Sequence, residues 1–169
     1  MGGEGKRRYM DAVIIFCAKY LFILVVIGVV VAWLRYPNEG KWRFLVSAII
    51  AGVVAVVLAH IAGKLYYDPR PFITEHVKPL IRHAPDNGFP SDHALFTMTL
   101  TAITFFYNRR LAAGMLLLTV IVGVARVLAR VHSPIDIAGG WLFGIIGAVI
   151  GFYVVEWLAV RQVKPGRST

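Results

Sequence analysis

An all-α bundle of membrane-spanning helices is the fold this sequence predicts, and three observations predict it. Of its 169 residues, 58% are hydrophobic, and the mean hydropathy is +0.69. Only 16% are Asp, Glu, Lys or Arg, against about 25% in an ordinary soluble domain. The apolar residues also fall into long stretches, and a hydrocarbon core about 30 Å thick takes roughly 20 of them per helix. Five such stretches fit the chain, within a range of five to six spans. The length indicates one domain, residues 1–169, and its 16 glycines among Val, Ile, Leu and Ala suit helices packed closely in lipid.

The first span covers residues 12–34, after Lys6, Arg7 and Arg8. It is too long for a signal peptide and lacks a convincing small-residue cleavage site, so it is expected to be retained. Lys19 within it is expected to snorkel or face inward. A Pro37-Asn38-Glu39-Gly40 turn leads to the second span, residues 44–63, which holds no Asp, Glu, Lys or Arg. A polar, proline-bearing segment follows over residues 64–90, with a short interfacial helix expected within 71–84. Span three begins near Ser91 and ends at Tyr107, and Asn108-Arg109-Arg110 forms a tight turn. Span four runs over 111–130 and span five over 135–160, ahead of a basic tail. The single cysteine, Cys17, excludes an intrachain disulfide and a cysteine zinc cluster, and is expected to pack as a small apolar residue. The tryptophans read as interface anchors or packing. The net charge of +9 lies mainly in connections and at helix ends. Topology and anionic lipid phosphates account for it better than nucleic acid.

Three polar clusters interrupt this apolar chain: Lys64 with Arg70-Pro71, then Pro90-Ser91-Asp92-His93, then Arg126 with His132 and Asp136. Threading the spans through a bilayer brings all three out on one face. Together they hold what phosphoryl transfer without a metal requires, because charge spreads over the phosphoryl oxygens and catalysis is mostly positioning and charge stabilisation. Lys64, Arg70 and Arg126 supply cations, with Arg offering a planar fork to phosphate. Ser91 is expected as the N-cap of span three, leaving backbone N–H groups for an anion. Asp92 shares that phosphate-binding turn, although its own carboxylate repels a phosphate. His93 in the same first turn suits a general acid and base.

Ser133-Pro134-Ile135-Asp136 has the spacing of a capping box. His132 lies four residues before Asp136, near enough for an imidazole–carboxylate hydrogen bond that leaves the other ring nitrogen free to attack phosphorus. A carboxylate in the first turn of a membrane helix is costly unless used, which favours a catalytic role for Asp136. His60 is expected to be hydrogen-bonded within the bundle; His76 and His83 lie in the long loop, where either could touch substrate, but no pattern singles them out. Neither an H-E-x-x-H motif nor a close group of acidic residues suggests a metal, so no metal or cofactor is expected.

These residues resemble the type 2 phosphatidic acid phosphatase superfamily, whose pattern is K-x6-R-P, P-S-G-H and S-R-x5-H-x3-D. The chain reads Lys64-x5-Arg70-Pro71, Pro90-Ser91-Asp92-His93 and Ala125-Arg126-x5-His132-x3-Asp136. It departs from the pattern in a Lys–Arg gap one residue short, in Asp92 for Gly, and in Ala125 for Ser. The stretches Tyr67-Asp68-Pro69-Arg70-Pro71-Phe72 and Phe89-Pro90-Ser91-Asp92-His93 are similar to the bacitracin-resistance branch, whose members are undecaprenyl pyrophosphate phosphatases of bacterial plasma membranes. The resemblance implies that His132 attacks the terminal phosphorus and carries a phosphohistidine. It implies that His93 protonates the leaving lipid phosphate and then activates water, while Asp136 orients His132. Arg70, Arg126, Ser91 and Lys64 then hold the phosphoryl oxygens, without a metal.

Away from the clusters one side carries eight basic residues against six unassigned ones on the cluster side, which favours an active site facing outwards from the plasma membrane. The same motifs serve phosphatases for phosphatidylglycerophosphate, phosphatidic acid or a lipid A phosphate. A small transporter is the rival from another class, but transporters favour midplane charges and repeats, and this sequence shows neither. The partners expected are an isoprenoid or other lipid phosphate and membrane lipids, with no nucleic acid; the sequence leaves the oligomeric state open.

Overall fold

The computed structural model describes residues 2–162. The basic tail, with Lys164 and Arg167 among the eight basic residues counted away from the clusters, lies outside the described residues. Seven helices account for most of the described chain: α1 (Gly2–Tyr20), α2 (Phe22–Arg35), α3 (Asn38–Leu65), α4 (Pro71–Thr74), α5 (Asp92–Tyr107), α6 (Arg109–Leu128) and α7 (Pro134–Gln162). Among the described residues the β pairing is limited to an isolated bridge between Pro69 and Asn87, in the irregular connections between α3 and α5. Four helical stretches are long and apolar enough to cross a membrane: Gly3–Arg35, Asn38–Leu65, Arg109–Leu128 and Pro134–Arg161. The protein is a multi-pass membrane protein.

The first span is longer than its sequence reading. Helix starts at Gly2, so Lys6, Arg7 and Arg8 are helical, and Leu21 joins α1 to α2 with helical angles of −64° and −25°. The stretch Gly3–Arg35 has 33 residues, about 50 Å at 1.5 Å per residue, well beyond a hydrocarbon core of about 30 Å. Ile14, Ile15, Cys17 and Ala18 pack against Ala125, Ala129 and Val131 at the end of α6. The surplus therefore extends past the face that holds the clusters. Cys17 packs there as a small apolar residue, as expected, and Lys19 is exposed rather than turned inward. The short helix expected within 71–84 is a single turn, α4.

Helix α5, the expected third span, has 16 residues, about 24 Å. Its surroundings explain the shortness. It touches α2, α3, α6 and α7, so it needs no full apolar wall against lipid. Its buried threonines satisfy their hydroxyls locally: Thr97 donates to His93 O, Thr99 to Leu95 O and Thr104 to Leu100 O, each at 2.7 Å. Thr101 pairs with Thr119 of α6 at 2.9 Å. Buried hydroxyls are tolerated when bonded in this way.

Helix α7 lies backbone-close against two neighbours. A Cβ on Gly140 would stand 2.7 Å from Ser91 O, and on Gly147 and Gly151 only 2.5 Å from Ala51 O and Ser47 O. Glycine alone permits such an approach. It fixes the register of α7 on α3 and α5, and at the top of the contact Ser91 N donates to Asp136 O at 3.0 Å. The start of α5 and the start of α7 are thereby held at one level.

Candidate active site

The third cluster is built by a helix end and a helix start. Arg126 stands in the last turn of α6. After it Arg130 takes the left-handed conformation at φ 62°, and Val131 N donates back to Arg126 O at 3.3 Å. This closure, typical of a helix C-terminus, turns His132 inward. The capping box then forms as expected: Ser133 N donates to Asp136 Oδ2 at 2.9 Å, and Asp136 N donates to Ser133 Oγ at 3.3 Å.

Asp136 Oδ2 also lies 3.1 Å from His132 Nδ1, and Gly88 O lies 3.1 Å from the same nitrogen. Two oxygen acceptors place the proton on Nδ1 and leave the lone pair on Nε2. That Nε2 faces Arg126 Nη2 at 3.2 Å and Arg70 Nη1 at 3.4 Å. His132 is 3% exposed and Asp136 fully buried. Burial holds the His132 pKa below the ordinary imidazole value; Asp136 pulls upward, while Arg126 and Arg70 push further down.

Arg70 precedes α4 and is 5% exposed. Its Nε donates to Asp86 Oδ1 at 2.7 Å, Nη1 to Val131 O at 2.7 Å and Nη2 to Asn87 O at 3.3 Å. The hydrogen bond from Arg70 holds the Asp86 carboxyl below the usual carboxylate range. Arg126 is 4% exposed, and its Nε is buried without a hydrogen-bond partner. Two guanidinium groups thus converge on one imidazole nitrogen with donor capacity to spare. An oxyanion seated between them meets preorganised donors.

The second cluster divides. His93, in the first turn of α5, is half-buried, with its ring edge-on to Phe22 of α2 at 5.5 Å. Asp92 is exposed. Ser91 takes the N-cap backbone position, but its hydroxyl makes no cap bond and is buried without a partner. The close contact with α7 accounts for this, because it draws Ser91 in against Gly140. A cavity of about 560 Å³ gathers Lys64, Arg70, Asp92, His93, Arg126 and His132, with Pro90 beside them; Ser91 is not in its wall. All three clusters therefore meet at one face, as threading the bilayer indicates. Lys64 reaches this wall from the last turn of α3 as an exposed side chain. His60 also differs from its expectation: it is exposed and lines the cavity rather than bonding within the bundle.

Several residues of the site carry no motif. Asn87 ties the connection to the end of α3, donating to Gly63 O at 2.8 Å and Tyr66 O at 2.9 Å and accepting from Asp68 N and Phe89 N. A Cβ on Gly88 would stand 2.7 Å from Asp136 Oδ2, so glycine is needed where the loop passes the dyad. The Asn-Gly pair is a turn signal directly before Phe89-Pro90, and that was its only trace in the sequence. Asp86 and His83 line the cavity with no such signal. Among the described residues no group of three or more His, Cys, Asp or Glu side chains stands ready for a metal ion.

A second cavity, about 300 Å³, runs between α3 and α5 along Ala48, Gly52, Ala55, Phe96 and Thr99. It shares Val56, Asp92 and Leu95 with the first, so the two adjoin.

Comparison with known proteins agrees with this geometry. The chain is 34% identical over 157 residues to the bacitracin transport permease protein BcrC of Bacillus licheniformis, covering 92% of this chain and 77% of that one. It is 28% identical over 151 residues to undecaprenyl-diphosphatase BcrC of Bacillus subtilis, covering 89% and 76%. The crystal structure of Aquifex aeolicus LpxE superposes with a TM-score of 0.64 at 22% identity over 86% of each chain, a likeness of fold. A family model described as PAP2 superfamily matches residues 40–159, from the start of α3 almost to the end of α7, and the chain belongs to that superfamily.

Proposed function

We propose that this chain hydrolyses the terminal phosphate of a polyprenyl diphosphate, converting undecaprenyl diphosphate to undecaprenyl phosphate, in one membrane-embedded domain. The observation that carries the reading is His132, with Nδ1 tied to Asp136 and Nε2 facing two arginines. The names of the relatives point to the same substrate class.

In the first step the Nε2 lone pair attacks the terminal phosphorus and the bond to the bridging oxygen breaks. His93 takes up a proton as the negative charge of the diphosphate enters beside it, and gives that proton to the departing lipid phosphate. Arg70 and Arg126 turn from Nε2 to the phosphoryl oxygens, while Nδ1–H donates to Asp136 as the ring becomes cationic. In the second step neutral His93 takes a proton from water, the oxygen attacks phosphorus, and the P–N bond breaks to free phosphate and His132. Lys64 and Asp92 flank the entrance, and Ser91 acts through its backbone bond to Asp136 unless substrate draws its hydroxyl forward. The balance of basic residues supports a site facing outwards from the plasma membrane.

A transporter is less well supported, despite the permease name carried by one relative. The charged groups converge on a cavity at one end of the helices rather than at midplane. Phosphate release from purified protein given polyprenyl diphosphate, phosphatidylglycerophosphate, phosphatidic acid and a lipid A phosphate tests the reading. We expect the diphosphate to be fastest and EDTA to have no effect. Preference for a monoester, or inhibition by EDTA that an added metal reverses, overturns it.

The groove between α3 and α5 supports a lipid tail leaving the site sideways into the bilayer. A Cβ on Gly52 meets nothing within 4 Å, so Gly52→Leu fills the groove without moving the backbone. Displacing two or three methylenes, at about 0.8 kcal/mol each, lowers kcat/KM for the long-chain diphosphate by roughly 15- to 60-fold. A short-chain prenyl diphosphate is expected to be unaffected, and equal losses on both chains count against the groove.

A further inference from the structure

His83 lies in the connection between α4 and α5, on a stretch anchored on both sides. Leu80 N donates to Ala129 O at 3.2 Å before it, Asp86 holds Arg70 after it, and Ile81 is buried beside Ala125 and Ala129. Its ring stands 6.0 Å from that of His132, nearly edge-on, in the wall of the same cavity as Arg70, Arg126 and His93. Its Nδ1 is buried without a hydrogen-bond partner. The nearest carboxylate oxygen, Asp86 Oδ1, is 4.0 Å away and already accepts from Arg70 Nε at 2.7 Å. An imidazole is thus held beside two guanidinium groups, with polar capacity that the protein itself leaves unused. Burial and the adjoining Arg70 and Arg126 hold its pKa below the ordinary value, so the empty site carries it neutral, with one N–H to donate.

A phosphoryl group seated between His132 Nε2 and the two arginines comes within reach of this ring. Its arrival also brings the negative charge that an N–H donor is suited to meet. Lys64 is exposed at the cavity wall and Ser91 is withdrawn from it. A further donor from the loop side is therefore what the pocket has room for.

We propose that His83 is a third histidine of the site, donating a hydrogen bond to a non-bridging oxygen of the phosphoryl group that passes to His132. This rests on the phosphohistidine reading above. The group contributes no covalent step and takes no proton from the reaction.

The test measures kcat/KM for the polyprenyl diphosphate and competitive inhibition by orthovanadate, which takes the trigonal-bipyramidal shape of the transferring group. His83→Ala is expected to lower kcat/KM by about a hundredfold and to weaken vanadate inhibition in parallel. His83→Gln, which retains an amide donor of similar reach, recovers roughly tenfold of each and serves if the alanine variant folds poorly. Unchanged vanadate inhibition in these variants, with or without a fall in turnover, overturns the proposal, because a purely structural role has no reason to track the bound oxyanion. His132→Ala measured alongside separates the two readings. Persistent turnover in that variant defeats the nucleophile, whereas failure of the His83 arm alone leaves it standing.

Discussion

His132→Ala is expected to bring phosphate release down to background while the protein still inserts and folds. In the proposed mechanism the reasoning is stoichiometric: without Nε2 there is no atom to accept the phosphoryl group, and the arginines then only bind it. Loss of a nucleophile that works as part of a unit costs on the order of 10⁴-fold or more in kcat. The fold survives because His132 sits in the connection after α6, and the packing of α7 against α3 and α5 does not involve it. Ser133 N continues to bond Asp136 Oδ2. Release of phosphate at matched membrane levels gives the rate. Acid-labile label from the terminal phosphate, retained on the parent after a rapid quench and absent from the variant, gives the intermediate. Turnover within tenfold of the parent removes His132 from the mechanism.

Asp136→Asn is expected to lower kcat by about 10³- to 10⁴-fold at nearly unchanged KM, the size seen when the carboxylate behind a catalytic imidazole becomes an amide. In the native site Oδ2 receives both His132 Nδ1 at 3.1 Å and Ser133 N at 2.9 Å. An amide presenting its oxygen to Ser133 no longer holds the negative charge that stabilises a cationic His132. With its NH₂ turned toward Nδ1, it favours the tautomer whose proton blocks Nε2. Ser133→Ala separates catalysis from capping. It removes the hydroxyl that caps Asp136 N and costs about 1 kcal/mol of helix stability, yet leaves the carboxylate on His132. Equal rate losses in the two variants would show that Asp136 matters only as a cap.

The site was legible in the sequence to the extent that helix ends organise it. Arg126, His132 and Asp136 lie at the end of α6 and the start of α7, so hydropathy alone brings them beside Lys64, Arg70 and His93. The capping box could be read from Ser133-Pro134-Ile135-Asp136 because its bonds span only three residues. The residues without periodicity stayed hidden. Asp86 meets Arg70 from 16 residues along the chain, beyond α4 and the irregular stretch after it, and His83 meets His132 only after the connection folds back. Local pattern made Ser91 the N-cap of α5, and it holds that position; where its hydroxyl lies could not be read, because the approach of α7, a long-range contact, sets it. The length of α5 has the same origin, since four neighbours shield it from the lipid that sets a span of about 20 residues.

The glycine seam of α7 makes the chemistry tolerant of the bilayer it sits in. Gly147 and Gly151 rest on Ala51 and Ser47 carbonyls, with no compliant side chain between them. The Ser91–Asp136 bond ties the other end. A thicker or thinner host membrane is accommodated by tilting helices, and helices joined this closely tilt together as one solid piece. The spacing between the two imidazoles then travels with that piece unchanged, leaving lipid delivery, rather than phosphoryl transfer, as the step a change of bilayer alters.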